Sequence, residues 1–227
     1  AMGWRGFNCT IPHKVAIIRY LDRLSPAAEM IGAVNCVFHD GGMLFGDNTD
    51  GKGFTQSVSE LAAIGGMHVV LLGAGGAARA IAIELGLAGA ASIRIVNRTL
   101  ERAEAIAAGV ARHTGVLAIP QQWNVRYSIP PESTLVVNAT PIALYPDVLA
   151  EVPIDYESLQ AGMIVCDVIP NPPMTPFLRR AREIGCTILD GLGMLVNQGV
   201  IGIKLWTGAN ADPKVMRAAL ESVFVDD

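Results

Sequence analysis

The sequence predicts an α/β fold, a doubly wound parallel sheet preceded by a smaller α/β unit. Three observations carry that expectation. From Met67 onward, short apolar runs alternate with helical stretches, the pattern of a parallel sheet with helices on both faces. The first of those runs passes through a glycine-rich turn straight into a helix. Before residue 54 the pattern differs, with two proline-started helices and a hairpin.

Taken in order, Phe7 to Pro12 reads as a short strand or extended loop. Pro12 is expected to start a helix through Leu21, because proline loses nothing in a first helical turn. Ser25-Pro26 opens a second helix by the same logic. Residues 33–38 form a strand, Asp40-Gly41-Gly42 a turn, and Met43-Leu44-Phe45 the returning strand. Gly46 to Gly53 reads as a polar glycine-rich loop, with a helix from Phe54 to about Ala63. Strands then follow at residues 68–72, 92–96, 135–138, 163–167 and 186–189. Helices are expected at 77–88, 100–113, after Pro176, from Met194 to Trp206 and from Asp212-Pro213 to Phe224.

Composition narrows the class. Of 227 residues, 51% are hydrophobic and 17% charged, so the chain has ample apolar surface for a core. A net charge of −4 supplies no basic face for nucleic acid. Mean hydropathy is +0.39, yet the richest apolar stretch, Met67 to Leu87, is broken by glycines, Arg79 and Glu84, so no membrane span is expected. Cys9, Cys36, Cys166 and Cys186 have no framework spacing and fit reduced thiols in the cytoplasm. No cluster has metal-ligand spacing, and no metal is expected.

The strongest local signal is Gly73-Ala74-Gly75-Gly76-Ala77-Ala78, of the form G-x-G-x-x-A between a strand and a helix. Gly73 permits the tight turn, Gly75 lets backbone approach a pyrophosphate, and Ala78 lets the helix pack close to the strand. This points to a Rossmann dinucleotide site. NAD enzymes usually place an acid at the end of the second strand, about twenty residues on. Here the strand ends in Asn97-Arg98-Thr99, with Arg102 one turn later. A guanidinium suits the 2′-phosphate of NADP(H). The alternative is a solvated strand-end arginine.

Two polar clusters come earlier, residues 8–14 and Asn48-Thr49-Asp50-Gly51. A lysine in a first helical turn, as expected of Lys14, faces the positive end of the helix dipole. That placement suggests a proton-transfer role, with Asp50 as a compensating carboxylate. A solvated Lys14 and an Asx-turn Asp50 are the plain alternatives.

Residues 6–14 resemble the G-x-N-V-T-x-P-x-K signature of the shikimate dehydrogenase family. Residues 46–51 resemble its G-x-N-T-D segment, residues 73–78 its GAGGA loop, and Asn97-Arg98-Thr99 its NRT motif. Asn138-Ala139-Thr140 and the run from Gly191 through Met194 to Gln198 extend the likeness in the family's order. The resemblance implies a catalytic dyad of Lys14 and Asp50, with Thr10, Asn35 and Gln198 on substrate hydroxyls. It implies NADP(H) held by Gly73, Ala74, Gly75, Gly76, Ala77, Asn97, Arg98, Thr99, Arg102, Asn138, Ala139, Thr140, Gly191 and Met194. The implied division is a partial substrate-binding domain over 1–53, the Rossmann domain over 54–193, and C-terminal helices over 194–227 returning to the first. The implied reaction interconverts 3-dehydroshikimate and shikimate, in a monomer or homodimer with a small-molecule substrate.

Three departures temper this. The family's chains begin earlier, with a Ser-x-Ser strand that binds the substrate carboxylate; that segment is expected to be missing here. Pro170 stands where many members carry tyrosine, and Pro141-Ile142-Ala143-Leu144 replaces a commoner small-residue ending. A quinate or related hydroxy-acid dehydrogenase, and a non-catalytic dinucleotide-binding chain, are therefore alternative readings.

Overall fold

The computed structural model describes residues 3–10 and 12–223. The first unit holds strands β1 (Gly6–Asn8), β2 (Arg23–Leu24), β3 (Cys36–Asp40) and β4 (Met43–Asp47), in the sheet order β1-β3-β4-β2. Helix α1 (Pro26–Ile31) lies between β2 and β3. Ser25 caps it by accepting from the Ala28 N–H at 3.1 Å, with Pro26 in the first turn.

The expected helix from Pro12 is a turn followed by a 3-10 helix, Ala16–Tyr20. An α-helix there would need the Lys14 carbonyl to accept from Ile18, but it accepts from the Val34 N–H at 2.8 Å. The expected loop over 46–53 is also corrected. β4 runs through Asp47, and helix α2 spans Thr49–Ser59, capped by Asn48. Asp50 therefore sits in a first helical turn, where its charge complements the dipole.

From β5 (His68–Leu72) the chain winds through α3 (Gly76–Leu87), β6 (Ser92–Asn97), α4 (Leu100–Thr114), β7 (Leu117–Gln122), β8 (Tyr127–Ser128) and β9 (Leu135–Asn138). β10 (Ile154–Asp155), β11 (Ile164–Asp167), α5 (Pro176–Ile184), β12 (Thr187–Leu189), α6 (Gly191–Thr207) and α7 (Pro213–Ser222) complete it. Six strands form a parallel sheet in the order β12-β11-β9-β5-β6-β7. Val69 and Leu71 enter one core and Val70 and Leu72 the other, so both faces of the sheet are covered. β7 is a further strand that the sequence pattern does not signal. It is an edge strand, and Pro120 is tolerated there because no neighbour needs its missing N–H. α6 starts at Gly191 instead of Met194, because Asp190 caps it by accepting from the N–H groups of Leu192 and Gly193. The expected end of the last helix, Phe224, lies outside the described residues.

The order of strands reverses between β5 and β9. In open α/β sheets that reversal opens a crevice at the carboxyl ends of the strands. Helix α2 joins the units: Phe54 and Val58 enter the core of the large sheet, while a Cβ on Gly51 would meet the Ala80 carbonyl at 2.5 Å. α6 returns to the small sheet, where Trp206 Nε1–H donates to the Val37 carbonyl at 3.0 Å. The residue boundaries 53/54 and 193/194 fall inside α2 and α6.

Asp167, at the end of β11, is buried and accepts from Thr175 Oγ1–H at 2.8 Å, from the Ile169 N–H and from Asn138 Nδ2–H. Burial pushes its carboxyl up to about 6, against the pull of these hydrogen bonds. The folded state thus holds this proton more tightly than the unfolded chain, whose ordinary value is 3.8. Its stabilisation is complete below the unfolded value and lost as pH rises through about 6. Asp167→Asn should therefore gain on the wild type between those pH values. Urea melts of both proteins across that window would refute the point if their difference stayed constant.

Candidate active site

Two groups of residues meet around α2 and the sheet crevice. In the first, Lys14 Nζ donates to Asp50 Oδ2 at 2.6 Å, with side chains 25% and 14% exposed. The pair is shielded but open on one side, as a proton-transfer pair must be. Asn35 fixes the carboxylate from the other oxygen, its Nδ2–H donating to Asp50 Oδ1 at 2.7 Å. Asn35 Oδ1 in turn accepts from the Thr49 N–H at 2.7 Å. The backbone N–H of Asn35 bonds to Asp47, and its carbonyl accepts from Cys9. Gln198 Oε1 approaches both Asn35 Nδ2 and Thr49 Oγ1 at 3.5 Å.

Gln198 reaches this cluster because α2 and α6 pack backbone to backbone. A Cβ on Gly53 would meet the Gln198 nitrogen at 2.7 Å and the Met194 carbonyl at 2.8 Å. Buried Asn197 sets the register, donating to Ser57 Oγ at 2.9 Å. Beneath the cluster, buried Asp47 pairs with Lys52 at 2.6 Å and accepts from Ser25 Oγ–H and the Asn48 N–H. It joins the cap of α1, the end of β4 and the start of α2. Thr10 is exposed; its carbonyl accepts from the His13 N–H, leaving its hydroxyl without a protein partner among the described residues.

The second group lines a cleft of about 630 Å³ at the crevice. Gly73, Ala74 and Gly75, Asn97, Arg98 and Arg102, and Ala139, Thr140 and Ile142 all line it. Gly73 has φ +107°, and a Cβ there would sit 3.0 Å from the Ala139 carbonyl. Only glycine fits both demands. Gly75 and Gly76 have open space where a Cβ would be, and no side chain caps the N-terminus of α3, so its N–H groups face outward. These features fit a dinucleotide pyrophosphate. Ala143, beside the cleft, is buried with φ +73°, a strained conformation for a residue with a side chain.

Several expected residues stand outside this cleft. Asn138 is fully buried, and its side chain bonds to Thr140 and Asp167, shaping the loop from below. Gly76 faces a neighbouring groove shared with Val15, Gly32 and Arg79. Thr99 stands at the N-cap position of α4 without a side-chain capping bond and is exposed, and its carbonyl accepts from Asn97 Nδ2–H. Ala77 lies in the first turn of α3. Gly191 is held against the Ile169 carbonyl, 2.3 Å from where a Cβ would lie. Met194 is partly buried and packs against the core of the large sheet. The structure adds Trp123, Val125 and Arg126 to the cleft, on a connection where no sequence motif pointed. Among the described residues, no group of acids, histidines and cysteines could hold a metal, and no helix is long and apolar enough to cross a membrane.

The model of the shikimate dehydrogenase substrate binding domain matches residues 1–37, that of shikimate / quinate 5-dehydrogenase residues 56–122, and that of the shikimate 5′-dehydrogenase C-terminal domain residues 191–221. A shikimate dehydrogenase (NADP(+)) from Desulforamulus reducens is 42% identical over 97% of this chain and 77% of its own length. Among solved structures, a ligand-free 5-ketofructose reductase of Gluconobacter sp. strain CHM43 superposes with a TM-score of 0.94 at 51% identity, over 98% of this chain and 80% of that one. A shikimate dehydrogenase in complex with NADP+ superposes with a TM-score of 0.88 at 37% identity, over 96% and 76%. On these matches the chain belongs to the shikimate dehydrogenase family.

Proposed function

We propose that this protein is an NADP-dependent oxidoreductase that interconverts 3-dehydroshikimate and shikimate. The observation that carries the reading is the Lys14–Asp50 pair at 2.6 Å, with Asp50 held by Asn35, which Gln198 approaches in turn. NADP(H), when bound, supplies the donor or acceptor of hydride. Gly73 to Gly76, Arg98, Arg102 and Thr140 would hold it, with Asn97, Thr99, Asn138, Ala139, Gly191 and Met194 shaping its surroundings. Lys14 takes the hydroxyl proton as the alcohol is oxidised and returns it on reduction. Asp50 keeps the ammonium placed, while Asn35, Thr10 and Gln198 orient the substrate hydroxyls. Orientation of this kind contributes about 7–11 kcal/mol to lowering a barrier. The division at 1–53, 54–193 and 194–227 then separates substrate recognition from cofactor binding, with the catalytic pair in the first unit at helix α2. Four free cysteines support a cytoplasmic setting.

A second reading is favoured by the 51% identity to a 5-ketofructose reductase: the same pair acting on the ketone of a polyhydroxylated sugar. Initial rates with NADP(H) or NAD(H) against shikimate, quinate and 5-ketofructose decide between them. The expected result is the highest kcat/KM for shikimate with NADP. A higher value for 5-ketofructose or quinate would replace the substrate, and NADPH binding without turnover of any of them would remove the catalytic reading.

A further inference from the structure

The cleft beside the glycine loop carries three guanidinium groups, Arg98, Arg102 and Arg126, and no carboxylate among its lining residues. None of the three forms an ion pair among the described residues. Arg98 and Arg102 belong to the strand-end motif, whereas Arg126 belongs to no motif. It sits on a three-residue link, Asn124 to Arg126, pinned at both ends. On one side Trp123 is buried; its N–H donates to the Asn97 carbonyl at 2.9 Å and its Nε1–H to the Pro153 carbonyl at 3.0 Å. On the other, the Tyr127 N–H donates to the Pro153 carbonyl at 3.1 Å. The bond from Trp123 to Asn97 ties this link to the end of β6, next in the chain to Arg98.

We infer that Arg126 is a specificity-determining residue that completes the 2′-phosphate site of NADP(H) together with Arg98 and Arg102. The inference rests on the NADP reading above and names a further residue of that site. A dianionic phosphate monoester supplies the charge these cations lack, and a guanidinium can engage two of its oxygens at once. This role is distinct from binding of the pyrophosphate, which belongs at Gly73 to Gly76. Arg126 also borders a polar groove containing Glu151, Asp155 and Glu157, so a rim ion pair is the competing role.

Calorimetric titration of 2′,5′-ADP and 5′-AMP at pH 8 on the wild type, Arg126→Ala, Arg126→Lys and Arg98→Ala tests the inference. Arg126→Ala should weaken 2′,5′-ADP by about tenfold or more while leaving 5′-AMP within about twofold, as expected for loss of a charge-assisted hydrogen bond. Arg126→Lys should restore part of the loss, because it keeps the charge without the fork. Equal weakening of both ligands would overturn the proposal, since the contact would then be to the shared part of the nucleotide. No weakening of either would overturn it in favour of the rim ion pair. A wild type that binds the two ligands equally would remove the NADP reading itself, whereas a wild type that prefers 2′,5′-ADP with an indifferent Arg126→Ala removes only this inference.

Discussion

Lys14→Ala is expected to lower kcat by about 10²- to 10⁴-fold while NADPH affinity stays near that of the wild type. The first half follows from geometry. The ammonium lies 2.6 Å from Asp50 and is the cation placed to exchange a proton with a substrate hydroxyl in this cluster. Removing it leaves Asp50 held by Asn35 and by its place in α2, so the change tests the proton carrier instead of the architecture around it. The second half follows from separation: Lys14 does not line the cleft that carries Arg98, Arg102 and Arg126. Lys14→Arg should fail to rescue turnover, because a guanidinium keeps its charge but does not release a proton near neutral pH. Single-turnover rates combined with fluorescence titration of NADPH provide the check. Near-normal turnover in Lys14→Ala would exclude Lys14 as the proton carrier. A parallel loss of NADPH affinity would point to a structural role.

Much of the large sheet could be read directly, because its strands are nearly continuous apolar runs bounded by turns. Residues 68–72 and 135–138 are strands with the expected ends. Proline-started helices at Ser25-Pro26 and Asp212-Pro213 were also legible, since each cap is a local hydrogen bond. The misreadings have non-local causes. The turn at Lys14 exists because Val34, twenty positions away in the chain, takes the carbonyl that a helix needs. The glycines at 51 and 53 suggested a loop, but they are helical positions that remove side chains where α3 and α6 press against α2. At the site, the motifs pointed to Lys14, Asp50 and Arg98. Thr49 and Arg126 could not be singled out, because the first matters through Asn35 and the second through an edge strand whose Pro120 obscured it.

That non-local role of glycine yields the second large effect. Gly53→Val should destabilise the protein by about 3 kcal/mol or more, and raise KM for the hydroxylated substrate beyond what lost stability explains. The added Cβ would meet the Gln198 nitrogen at 2.7 Å and the Met194 carbonyl at 2.8 Å. Both are backbone atoms of α6, so no rotamer change relieves the contact, and the two helices must separate. Separation carries Gln198 away from Asn35 and Thr49, which it now approaches at 3.5 Å. The Lys14–Asp50 pair lies at the opposite end of that hydrogen-bonded chain and is held by its own contacts. Under saturating substrate and below the melting transition, kcat should therefore fall less than kcat/KM. Gln198→Ala supplies the control, since it removes the amide without forcing α2 from α6. It should reproduce the rise in KM with little change in melting temperature. If Gly53→Val melts like the wild type, the close approach of α2 and α6 is wrong. If it is destabilised but KM is unchanged, Gln198 does not contact the substrate.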